Sequence, residues 1–165
     1  MKKMLAVALL SLTGLSSAQT QTAKEAPKAS PAEQSVAVAK QEIQKKPAQY
    51  TGYNHLAIAL SRRARETSDV NYYSQAEDAL KESLHLAPGN LEAEKIHVWL
   101  LLGRHEFPAA LEAAKALNKR TPDDVLVYGF LTDANAELGN YSDAEAAAQW
   151  MLNLRPGNQI GRAHV

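Results

Sequence analysis

Residues 73–90 read YSQAEDALKESLHLAPGN, residues 107–124 read FPAALEAAKALNKRTPDD, and residues 141–158 read YSDAEAAAQWMLNLRPGN. Each stretch begins 34 residues after the one before. An aromatic residue opens all three: Tyr73, Phe107 and Tyr141. Three positions on comes an alanine: Ala76, Ala110 and Ala144. A proline stands near each end (Pro88, Pro122, Pro156), and Asn90, Asp124 or Asn158 closes the stretch. Four classes of position kept in one register point to one small unit stacked on itself.

The segments around these stretches carry no strand signal. Apolar residues at helical spacing predict paired helices near Gln49–Glu66 and Tyr72–Leu86, Leu91–Leu102 and Pro108–Asn118, and Asp123–Leu138 and Ser142–Leu154. A leading helix is expected over Pro31–Lys45, with Ser30 as its cap, Pro31 in the first turn and Glu33 completing a capping box. Thr121-Pro122-Asp123-Asp124 reads as a helix start with the Thr121 hydroxyl as cap. Gly103 and Gly139 follow last helical turns, where a positive φ costs a glycine little.

On these residues the chain resembles the tetratricopeptide repeat family, whose unit is a 34-residue helix–turn–helix. With the repeating proline placed at the family's proline position, Tyr128, Leu131, Tyr141, Ala144, Met151 and Pro156 match the third unit. Leu101, Phe107, Ala110, Ala114 and Pro122 match the second. Pro47 extends the register backwards and puts Tyr53, Leu56, Ala57 and Leu60 on apolar positions of a first unit. Pro47 and Pro88 are 41 residues apart, seven more than the period, and the excess lies in SRRARETSDVN (residues 61–71). Seven residues is about two helical turns. The expectation is a lengthened, projecting helix end carrying Arg62, Arg63, Arg65 and Glu66. Val98 and Thr132 stand where the family prefers Gly or Ala, His97 replaces a leucine, and Asn135 replaces an aromatic.

The resemblance implies an all-α fold, a right-handed α-solenoid of helix–turn–helix repeats. Residues 31–48 would form an N-terminal capping helix, and residues 49–158 three repeats (50–90, 91–124, 125–158). The alanines would let helices approach closely, with the aromatics Tyr73, Phe107 and Tyr141 filling the space beside them. It also implies a concave groove lined by the first helix of each pair. Carried over position by position, that groove offers Asn54, Ile58, Ser61 and Arg62 from the first repeat, and Glu92, Lys95, Trp99 and Leu102 from the second. The third adds Leu126, Gly129, Asp133, Ala136 and Glu137. Trp99 has two readings: an aromatic anchor for a bound segment, or a packed residue of a helix apolar nearly all round. Nothing matches the Lys/Arg clamp some relatives use for a C-terminal carboxylate. Trp150, on a second helix, is expected to pack.

The ends read differently. Lys2 and Lys3, the apolar run Met4–Leu12 and the small residues Ser16-Ser17-Ala18 form a signal-peptide pattern over residues 1–18, too short to span a bilayer. Cleavage is expected between Ala18 and Gln19. Residues 19–30 read as a flexible leader. Ile160-Gly161-Arg162-Ala163-His164-Val165 match the translation of a common sequencing adapter. Residues 159–165 are therefore expected to be a non-native tail, and the natural protein to be longer. Ala147, Trp150, Met151 and Leu154 would then form an apolar face open to self-association.

The charges balance at 18 basic and 18 acidic residues. Setting aside Lys2, Lys3 and Arg162 leaves 15 against 18, a balance of −3. Neither nucleic-acid binding nor a polybasic membrane role has its usual electrostatic footprint. The chain has no cysteine, which removes disulfides, thiolate metal sites and cysteine nucleophiles. His105-Glu106 opens a zinc-protease pattern, but Ala109 stands where the second histidine belongs. His55, His85, His97 and His105 share no ligand spacing, and His97 reads as a partly buried core histidine. There is no nucleophile elbow, P-loop or dinucleotide fingerprint. Asp123-Asp124 reads as a cap and Asp133/Glu137 as an exposed pair, without the contrasting environments acid–base work needs.

The expectation is therefore a non-enzymatic scaffold without cofactor or metal, exported and periplasmic, which binds a protein or peptide segment in its groove. The alternative is the N-terminal interaction module of a longer protein whose catalytic or membrane-associated region lies further on.

Overall fold

The computed structural model describes residues 29–154. Seven helices follow one another: α1 (Pro31–Lys45), α2 (Tyr50–Thr67), α3 (Asn71–Leu86), α4 (Leu91–Gly103), α5 (Phe107–Arg120), α6 (Val125–Glu137) and α7 (Tyr141–Leu154). Among the described residues there is no strand. The expected signal peptide and the adapter-like tail lie outside the described residues, as does the leader apart from Ala29 and Ser30.

The sequence period returns in the backbone hydrogen bonds. Asn90 N–H donates to Ala87 O and Asp124 N–H to Thr121 O, 34 residues later, both at 3.2 Å. Glu106 N–H donates to Leu101 O and Asn140 N–H to Asn135 O, again one period apart, both at 2.9 Å. The helix starts repeat too. Asn90 Oδ1 accepts from Glu92 and Ala93 N–H at 3.1 and 3.3 Å, and Asp124 Oδ1 from Leu126 and Val127 N–H at 3.0 and 3.3 Å. A short polar side chain at the cap satisfies donors that the first helical turn leaves free.

Two local expectations change here. Thr121 does not cap α6: its hydroxyl donates back to Leu117 O at 3.0 Å and finishes α5. Pro122 and Asp123 form the turn, so the cap falls on Asp124. Nor is Gly103 the left-handed residue after α4. That conformation belongs to His105, at φ 61°, one period before Gly139 at φ 78°. Gly103 serves a close approach instead, since a Cβ there would lie 2.9 Å from the hydroxyl of Tyr73.

Successive helices pack in chain order, and α4 also touches α2 and α6 directly. The corresponding approach between α3, α5 and α7 is absent. The even-numbered helices thus form the closer layer. Two apolar cores fill the stack, one from α2, α3 and α4 and one from α4, α5, α6 and α7. Ala93, Ile96 and Leu100 of α4 face the first core, while Val98 and Leu101 face the second. That double duty explains why α4 is apolar around most of its circumference.

Ala76, Ala110 and Ala144 are all buried, as close helix approach requires. The aromatics beside them differ. Tyr73 is buried, Phe107 half-buried, and Tyr141 is 73% exposed. Tyr141 therefore fills no gap: it opens α7, which packs on α6 and on no later helix among the described residues. Ala147 belongs to the core rather than to an open face. Trp150 remains 53% exposed although its ring stacks on Tyr128, centroids 6.1 Å apart.

The extension of α2 does not project freely. Ala64 is buried. Arg63 faces Glu66 at 3.0 Å and Glu33 of α1 at 3.6 Å, and lies over the Tyr72 ring. Ser30 Oγ accepts from Glu33 N–H at 3.1 Å and donates to Glu66 Oε2 at 2.6 Å. The start of α1 is thereby tied to the end of α2, and the Glu33 carboxylate meets Arg63 instead of closing a capping box.

Candidate functional site

The closer layer of helices carries a cleft of about 300 Å³. Ile58 and Arg62 come from α2, Glu92, Lys95, Ile96 and Trp99 from α4, and Leu126 and Phe130 from α6. Helical geometry sets this choice: residues three, four and seven apart share a face, which puts Glu92, Lys95, Ile96 and Trp99 in one line. Ile96 and Phe130 are buried, and Leu126 is 54% exposed. The cleft is thus apolar at its base and charged along its edges.

Ile58, Arg62, Glu92, Lys95, Trp99 and Leu126 were all expected on one groove from the sequence, and the structure brings them together. Asn54 is different. It is 0% exposed, because the approach of α2, α3 and α4 closes over it. Ser83 Oγ donates to Asn54 Oδ1 at 2.6 Å, and Asn54 Nδ2 donates to Glu92 Oε2 at 3.1 Å. Asn54 therefore positions a cleft residue and is not part of the open surface. Asp133 and Glu137 lie on α6 away from the cleft lining. Partial desolvation and the neighbouring Glu137 charge raise the Asp133 carboxyl above its usual range. Ser61 is buried, Leu102 and Gly129 are half-buried, and Ala136 is exposed outside the cleft.

Lys95 Nζ pairs with Asp124 Oδ2, joining α4 to the start of α6. Burial works against the Asp124 charge, but the Lys95 ammonium and the capping N–H groups of Val127 and Leu126 outweigh it and hold the carboxyl below its ordinary value. Lys95 thus fixes the spacing of two groove helices.

Trp99 faces both a core and the cleft. It is half-buried and packs against the second core, yet it also lines the cleft. The guanidinium carbon of Arg65 lies 4.5 Å from its ring centroid and that of Arg62 5.9 Å, both within cation–π range. Ile96 and Phe130, which line the cleft, and Arg65, which lies over Trp99 outside the cleft lining, escaped the sequence reading. Their signal was helical spacing, since Ile96 follows Glu92 by four, Phe130 follows Leu126 by four, and Arg65 follows Arg62 by three.

Among the described residues no group of three His, Asp or Glu side chains is placed to hold a metal ion, and no helix is long and apolar enough to cross a membrane. Neither a comparison with protein-family models nor one with curated proteins finds a match to the chain.

Proposed function

We propose that the protein is a non-enzymatic helical-repeat scaffold of the tetratricopeptide type, a right-handed solenoid, which holds a segment of a partner protein in the groove formed by α2, α4 and α6. The observation that carries this reading is the convergence of Ile58, Arg62, Glu92, Lys95, Trp99 and Leu126 on one apolar-based cleft. The 34-residue recurrence of caps and turn hydrogen bonds supports the repeat assignment. A half-buried tryptophan at the mouth of such a cleft is the usual kind of anchor for a bound segment. With the signal-peptide pattern of residues 1–18, the setting we infer is the bacterial periplasm. A second reading, an interaction module within a longer protein, draws on the exposed apolar side chains Trp150 and Leu152 of α7.

The test is a pull-down from the producing organism with wild type and Trp99→Ala, both checked for an unchanged helical signal. The proposal expects specific partners that are lost with Trp99→Ala. Partners retained in full by that variant would overturn it.

A further inference from the structure

The described arginines are not treated alike. Arg63 faces Glu33 and Glu66, Arg104 faces Glu77 and Glu106, and Arg120 faces Glu94. Arg62 and Arg65 have no described carboxylate within ion-pair distance. Both lie over the same indole ring, that of Trp99. A guanidinium stacked on an aromatic face keeps its in-plane N–H edges open, and that fork matches a carboxylate. Of the other charged groups of the cleft, Lys95 is paired with Asp124, and the Glu92 carboxylate, which keeps its charge, accepts from Asn54 Nδ2. Glu92 stands seven residues before Trp99, roughly 10 Å along the helix axis, so it lies at the other end of the cleft's α4 face from the indole.

A second cleft of about 580 Å³ lies between α1 and α2, with Val38, Ala39 and Ala59 among its lining. It shares Ile58 and Arg62 with the first. Apolar surface therefore continues on both sides of Arg62, and Val38 is 55% exposed there. A chain ending in a terminal carboxylate at Arg62 would leave one side empty. A chain running through would fill both.

We infer that the groove's occupant is an extended peptide segment with an internal acidic residue between two apolar ones, its side-chain carboxylate held by Arg62 and Arg65 against the face of Trp99. This rests on the groove reading above. One apolar side chain enters the cleft of Ile96, Phe130 and Leu126, and the other lies against Val38 and Ile58.

The probe is an acetylated, amidated peptide with one Glu between two Leu residues, separated by single serines, read by fluorescence anisotropy. Its companions replace Glu by Gln, or end in a free carboxylate after one Leu and lack the acid. Wild type is expected to bind the Glu peptide about tenfold more tightly than the Gln peptide. The Arg62→Gln/Arg65→Gln variant is expected to abolish that preference at an unchanged melting temperature. The inference is overturned if the Glu peptide does not bind, if Glu and Gln peptides bind alike, if the double variant keeps the preference, or if the free carboxylate binds best. Trp99→Ala separates the two levels. Loss of both peptides with that variant, without a Glu preference in wild type, leaves the groove standing and removes the acid recognition. Binding unaffected by Trp99→Ala removes both.

Discussion

The hydroxyl of Ser83 donates to Oδ1 of Asn54 across 2.6 Å, and neither side chain reaches solvent. Asn54 Nδ2 then holds the Glu92 carboxylate at 3.1 Å, so α2, α3 and α4 share one polar link beneath the groove. Removing one partner leaves the other buried and unpaired. Ser83→Ala is expected to lower stability by about 1–3 kcal/mol in denaturant titration. A smaller loss than about 0.5 kcal/mol would show that the link does not constrain the three helices.

Asp124 combines two tasks, capping α6 and pairing with Lys95. Asp124→Ala is expected to cost about 1–2 kcal/mol through the cap alone. Because its folded-state pKa is lowered, its stabilisation is fully present above the ordinary aspartate value of about 3.9 and is lost as pH falls through the folded value. Thermal melts of wild type and variant should therefore converge as the solution is made more acidic than pH ~3.9. A gap that stays constant through that range would contradict the ion-pair account.

Asp133 has the opposite sign. Its pKa is raised by desolvation and by Glu137, so its charge costs stability above the folded value, and the cost disappears below the ordinary aspartate value. Asp133→Asn is expected to melt slightly higher than wild type at pH 7, with no difference near pH 3. An equal or lower melting temperature at pH 7 would reject this assignment.

Ser68 adopts φ 57° at the end of α2, a region that penalises a side chain. It makes no side-chain hydrogen bond with another described residue. Ser68→Gly is expected to raise stability by up to about 1 kcal/mol. A destabilised variant would show that Ser68 makes a contact that offsets its backbone cost.

Much of this fold was legible in the sequence because a proline, an alanine and a capping residue recur with one period. Those features fix where helices begin and how closely they approach, which local chemistry decides. The left-handed turn at His105 was hidden, because Gly103 two residues earlier looked like the natural terminator. Its true role, clearance for Tyr73, depends on packing between α3 and α4. The site divided in the same way. The family resemblance implied one groove for Ile58, Trp99 and Leu126, which lie on three different helices. Whether Asn54 reached solvent, and whether Arg65 folded back over Trp99, depended on how closely α2, α3 and α4 approach, which no single helix encodes.

The exposed apolar side chains of α7, Trp150 and Leu152, bear on self-association. Sedimentation velocity over a concentration series is expected to show association that Trp150→Gln/Leu152→Gln reduces. A monomeric wild type at every concentration would exclude that surface as a self-association site.

The groove itself is tested most directly by placing a photo-crosslinking aromatic residue at position 99 in the producing cell, with Glu145 on α7, an exposed position outside the cleft, carrying the same probe as control. The account predicts a discrete adduct from position 99 that the Leu–Glu–Leu peptide competes away, and no such adduct from position 145. The same adducts from both positions, or adducts from position 99 that the peptide leaves unchanged, would contradict it.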